Sequence, residues 1–221
     1  MRTILDISAA LDVVARAAGK AVGWLMLPLI AVIMFDVTTR KIGVTQNFFA
    51  DFTIDYGYSI STIMQDLQWH LHAAMLLLSF GFGYLTNAHV RVDVFRELLP
   101  RRKQGWLELV GLLVLGLPFL ILMMVYGWEL FHVSWIQNEH SESVTGLNWR
   151  WFIKFFMPVG FALTLLAVIA TLGRLVVYLF GSEFDEKAAI EALEIFADDY
   201  AELEAARLAA EAALRAEAEE L

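Results

Sequence analysis

Residues 66–103, DLQWHLHAAMLLLSFGFGYLTNAHVRVDVFRELLPRRK, open as an apolar run and close as a basic, amphipathic loop. Between Asp66 and Arg91 there is no Asp, Glu, Lys or Arg. A helix of about 20 residues therefore crosses the ~30 Å hydrocarbon core without placing a full charge in it. The loop that follows carries Arg91, Arg96, Arg101, Arg102 and Lys103, which marks it as cytoplasmic.

The rest of the chain has the composition this reading requires. Hydrophobic residues make up 59% of 221 positions, Trp occurs seven times and Pro four, and the mean hydropathy is +0.60. These values describe an integral membrane protein rather than a soluble domain. The absence of Cys removes disulfides, thiol nucleophiles and thiolate metal sites together. The net charge of -9 is local: residues 183–221 hold 13 acidic and 3 basic side chains, whereas the other 182 residues hold 12 and 13.

Working outward, four apolar stretches qualify as spans, at about 21–39, 67–86, 106–128 and 151–178. The expected fold is all-α: four transmembrane helices over 21–180, with further helices at their ends. Residues 1–20 place Ile4, Ile7, Leu11, Val14, Ala15 and Ala18 opposite Asp6, Asp12 and Arg16, the pattern of an amphipathic surface helix. A cleaved leader is the competing reading, opposed by two acids and by the lack of a small-residue cleavage site. A second amphipathic helix is expected in the cytoplasmic loop, from Val90, Val94, Phe95, Leu98 and Leu99. An acidic helical tail is expected over 181–221, with Leu193, Phe196, Tyr200, Leu203, Ala210 and Leu214 near a heptad seam. Whether that seam pairs with a partner or stays solvated is open.

Within the spans, Ala73, Ala74, Ser79, Gly81 and Gly83 permit close approach by another helix. Pro118 predicts a kink in the third span, and Pro158 falls in the first turns of the fourth. Asp36 reads either as an ion ligand or as a partner for Arg40 one turn away. Nine Lys or Arg side chains fall in the inferred inner segments and four in the outer ones, which places both termini in the cytoplasm.

Chemistry has no visible centre. His70 and His132 suggest a pair of haem ligands at the outer surface, as in the membrane anchor of an oxidoreductase, but neither span carries a second, deeper histidine. His70, Glu129 and His132 would supply a metal site only if two helices brought them together. Phosphate loops, Walker-type lysines and nucleophile elbows are absent from the sequence, so neither an enzyme nor a cofactor is expected. Nothing in the charge pattern suggests nucleic acid. Broken half-helices and internal repeats, the marks of a self-sufficient carrier, are missing as well.

Residues 65–109, with Trp69 at the start of the second span and His89, Val90, Arg91, Val92 and Asp93 in the loop after it, resemble the small membrane subunit of tripartite ATP-independent periplasmic (TRAP) transporters. Trp151, Lys154, Pro158, Gly160 and Phe161 extend the resemblance, which covers about residues 20–180. The long loop before Trp69 and the acidic tail depart from the commonest pattern. The resemblance implies a scaffold in the bacterial inner membrane. It also implies assembly with a large multi-span M-type carrier, delivery of organic acids by a periplasmic P-type protein, and import driven by a sodium gradient. Trp69, His89, Arg91, Asp93, Trp151, Lys154, Pro158 and Gly160 become the candidate contacts to partner or membrane lipids. Arg91 and Asp93, two residues apart, point in different directions on a helix, so Arg91 is expected at headgroups or a partner and Asp93 at Arg96 or the bundle.

Overall fold

A computed structural model describes residues 1–88 and 99–193. The helices are α1 (Arg2–Gly23), α2 (Met26–Lys41), α3 (Gly43–Tyr56), α4 (Ile60–Leu85), α5 (Arg101–Gly111), α6 (Leu117–Ile136), α7 (Trp151–Phe180) and α8 (Glu183–Glu191). Among the described residues, three stretches are long and apolar enough to cross a membrane: Arg2–Lys41, Arg101–Ile136 and Trp151–Phe180. At 26 residues α4 has the length, but Gln65, Asp66, Gln68, His70 and His72 make its first half polar. The loop helix expected over 90–99 and the tail beyond residue 193 lie outside the described residues.

Prolines shape the two longest rods. Pro28 supplies no N–H to the Trp24 carbonyl, which accepts instead from Leu27 at 3.2 Å. Trp24 and Leu25 keep right-handed helical dihedrals, so α1 runs into α2 through one tightened turn. The 40 residues of Arg2–Lys41 extend about 60 Å, twice the hydrocarbon thickness. In the third span the predicted kink becomes a π-helical turn, Leu112–Gly116, immediately before Pro118. A widened turn accommodates the ring and the donor it removes at the Val114 carbonyl. Pro158 lies eight residues into α7, deeper than its first turn, and supplies no N–H to the Lys154 carbonyl.

α7 is the central helix. It packs against α1 and α4 on one side and α6 on the other, whereas α4 and α6 make little contact with each other. Its C-terminal half forms the core, with Val168, Leu172, Leu175 and Leu179 joined by Leu109 and Leu120. Small residues set the helix separations. A Cβ at Gly81 would lie 2.8 Å from the Leu163 carbonyl oxygen, and one at Gly160 would strike the Leu77 carbonyl. Gly19 lies in the same way against Phe82. The partner helix expected for the small-residue face of α4 is therefore α7 of the same chain.

The face that α1 buries differs from the sequence expectation. Ser8, Ala15, Gly19 and Val22 point inward, whereas Ile7, Val13 and Val14 are exposed. Asp12 and Arg16, read above as the solvent face, turn into the bundle. Asp12 Oδ2 lies 2.9 Å from Arg16 Nε and 3.3 Å from Arg174 Nη2, and Arg16 Nη2 donates to the Leu85 carbonyl at 3.4 Å. Helix contacts among membrane helices favour small side chains, so the apolar stripe does not mark the packed face.

α3 fills the region left open in the sequence. Gly57, with φ of 76°, ends it in the left-handed conformation, and the Ser59 hydroxyl accepts from the Thr62 N–H at the start of α4. α4 thus begins seven residues before the expected span. Asp36 is buried and pairs with Arg40 at 3.0 Å, while Gln68 approaches its other oxygen at 3.4 Å.

Candidate functional site

The polar end of the bundle, where α4 and α7 begin, is organised by the loop 137–150. Asn138 and Trp149 both adopt positive φ, at 46° and 65°, and turn the chain back on itself. Between them the Ser141 N–H donates to the Leu147 carbonyl at 3.0 Å and the Arg150 N–H to the Glu139 carbonyl at 2.9 Å. Two further bonds tie the loop to the α4 end: the Leu147 N–H donates to Asp66 Oδ2 at 2.8 Å, and the Ser59 N–H to the Thr145 carbonyl at 3.0 Å. A Cβ at Gly146 would collide with the Asp66 carboxylate and Ser141, so glycine permits the close approach.

Ion pairs close the base of the loop. Lys154 donates to Glu139, and Arg150 lies 3.9 Å from Glu139 and 3.0 Å from Glu142. The Lys154 ammonium holds the Glu139 carboxyl below its ordinary value of 4.5. Beside this network a cleft of about 480 Å³ opens between α4, α7 and the loop, with Asp66, Trp69, His70, Glu142 and Arg150 among its walls. An apolar groove of about 360 Å³, lined by Leu67, Leu71, Phe152 and Phe156, shares His70, Leu147 and Ile153 with it.

The candidate residues separate into two groups. Trp69 stands at the cleft with 75% of its surface exposed. Trp151 packs edge-on to Trp135 at 4.2 Å, within a cluster containing Phe131 and Phe155. Lys154 is the partner of Glu139. Pro158 and Gly160 lie further along α7 and are buried, Pro158 near Gly127 and Gly160 against Leu77. His89, Arg91 and Asp93 lie outside the described residues.

Asp66, Glu139 and Arg150 were not singled out from sequence as one network. Asp66 and Leu147 are 81 residues apart, and no local pattern joins them. The histidines do not converge. His70 Nδ1 contacts the Asp66 carbonyl of its own helix, His132 is exposed on α6, and α7 lies between the two helices. Among the described residues no group of three His, Asp or Glu side chains is placed to hold a metal ion.

Comparison with known proteins decides the family. A model of the family described as tripartite ATP-independent periplasmic transporters, DctQ component, matches residues 29–177, more than half of the chain. The chain belongs to this family. The DctQ match contains α4, the 137–150 loop and α7 up to Val177, and omits all of α1 and the acidic tail. Among curated proteins, the C4-dicarboxylate TRAP transporter small permease protein DctQ of Pseudomonas aeruginosa is 28% identical over 127 residues. That alignment covers 54% of this chain and 60% of the relative's length. No solved structure is a significant match. The chain is thus a TRAP transporter small permease with membrane-spanning helices.

Proposed function

We propose that the chain is the scaffold of a secondary transporter, a non-catalytic subunit that holds a large M-type carrier in the inner membrane. Its membership of the DctQ component family carries this reading. The state of its buried charges supports it: Asp12 is paired with Arg16 and Arg174, and Asp36 with Arg40. Ionisable groups engaged with one another make poor stations on a solute path. Transported solute and coupling ion are accordingly assigned to the carrier. Organic acids, carboxylates in particular, are the proposed cargo, delivered by a periplasmic P-type protein and driven by sodium. The name of the Pseudomonas relative, a C4-dicarboxylate TRAP transporter small permease protein, supports that class.

In the proposed topology α4 is a fourth crossing, and both termini face the cytoplasm. Trp69, Trp151 and Lys154 then sit at the periplasmic interface. His89, Arg91 and Asp93 belong to the cytoplasmic loop, where Arg91 meets headgroups or the carrier and Asp93 holds the loop.

The test is mild detergent extraction of the tagged full chain from its native membrane, followed by intact-particle mass. A stable complex with one much larger membrane polypeptide is expected, and that complex, reconstituted with the periplasmic protein and a sodium gradient, should import a carboxylate. A particle containing this chain alone, or this chain with haem, would overturn the reading.

A further inference from the structure

The geometry points to the cleft between α4, α7 and the 137–150 loop as a binding site for one phospholipid. Its headgroup bears both a phosphate and a primary ammonium, and the lipid comes from the outer leaflet. The inference rests on the proposed placement of this end at the periplasmic interface.

Two properties of the cleft support it. The first is a gradient of polarity with depth. Asp66 and Arg150 lie at its outer end. Ala73 follows Asp66 by seven residues along α4, about 10 Å deeper, and Ile153 lies almost one turn below Arg150. Ionic groups above and small or aliphatic groups below match the order in which a phospholipid presents headgroup and acyl chain. A volume of about 480 Å³ suits a headgroup with its glycerol rather than a folded partner, since small-molecule sites span about 300–1,000 Å³.

The second property is charge. Asp66, Glu142 and the guanidinium of Arg150 all line the cleft, so both signs are present with an excess of carboxylate. A phosphate oxygen suits Arg150, whose contacts with Glu139 and Glu142 use part of a five-donor fork. An ammonium suits Glu142, whose side chain is 86% exposed and accessible, and the exposed Trp69 ring can cover it. A primary ammonium offers three N–H donors to the carboxylates, which a quaternary one does not. An anionic headgroup lacking the ammonium would bring only like charge to the carboxylates.

The experiment is native mass spectrometry of the delipidated full chain in micelles, titrated with phosphatidylethanolamine or with phosphatidylglycerol of the same acyl chains. One phosphatidylethanolamine per chain should be retained at a concentration about tenfold below that required for phosphatidylglycerol. Glu142→Gln should narrow the difference and Glu142→Lys should reverse it. Neither change threatens the fold at so exposed a position, and matched thermal midpoints verify that. Equal retention of the two lipids, preference for phosphatidylglycerol in the native chain, or an unchanged preference in Glu142→Lys would each overturn the assignment. Because no carrier subunit enters the measurement, a failed lipid result and a failed scaffold reading remain distinguishable.

Discussion

Glu139 stands where the 137–150 loop leaves α6, and its carboxylate meets both Lys154 and Arg150. A carboxyl held low in the folded chain contributes stability above its unfolded pKa and loses it as pH falls through the folded value. With an ordinary value of 4.5 lowered chiefly by Lys154, the contribution is complete at neutral pH and declines only in the acid range below 4.5. Thermal unfolding of the native chain and Glu139→Gln, compared from neutral pH down to the acid range, should show a native advantage that shrinks as the buffer becomes acidic. A difference independent of pH would mean that the pair does not anchor the loop. The neighbouring glycines act by a different physics. Gly146, Gly160 and Gly81 are positions where a single methyl would meet a carboxylate or a backbone carbonyl of another element.

Between elements, a buried cation ties α1 to α7. Arg174 is 6% exposed and depends on Asp12, whose carboxylate also receives Arg16. Removing one partner of a buried ion pair leaves an uncompensated charge, whereas replacing both with apolar groups is close to neutral. Asp12→Ala should therefore lower stability by about 3 kcal/mol, and the paired replacement Asp12→Leu with Arg174→Met by much less. Denaturant unfolding in micelles measures both, and equal losses would show that the pair does not couple the helices. The π-helical turn before Pro118 illustrates a second rule at this scale: a proline is met by widening one turn, and the helical chain continues from Arg101 to Ile136.

At the scale of the whole molecule, α7 collects α1 and α4 on one side and α6 on the other. Helix directions alternate accordingly. α4 and α7 run the same way, since Leu77 meets Gly160 and Gly81 meets Leu163. α5 and α6 run opposite to α7, with Gly105 at Tyr178 and Gly127 at Pro158. If this bundle spans the membrane as proposed, the 137–150 loop and α8 lie on opposite sides. The chain has no cysteine, so single thiols report side directly. Val144, 99% exposed in the loop, replaced by Cys should react with an impermeant maleimide in intact spheroplasts. Lys187→Cys on α8 should react only after permeabilisation. The reverse pattern would place the termini outside.

Length, apolarity and punctuation are local properties, and the sequence by itself determined what depends on them. The membrane class, the all-helical fold and the family resemblance were legible there, and the Asp36–Arg40 pair was one of the two readings open for Asp36. The existence of α3 and the early start of α4 were harder to read, because Gly57 and the Ser59 cap punctuate a stretch without clear periodicity. Which faces meet was decided only by the tertiary structure. In a bilayer both lipid and protein neighbours are apolar, so hydropathy does not distinguish the packed side of α1 from the exposed one, and small residues set it instead. The ion pairs joining Asp12 to Arg174 and the hydrogen bond from Leu147 to Asp66 link residues far apart in the chain. No periodicity encodes such partners; they meet because α7 gathers the other helices around it.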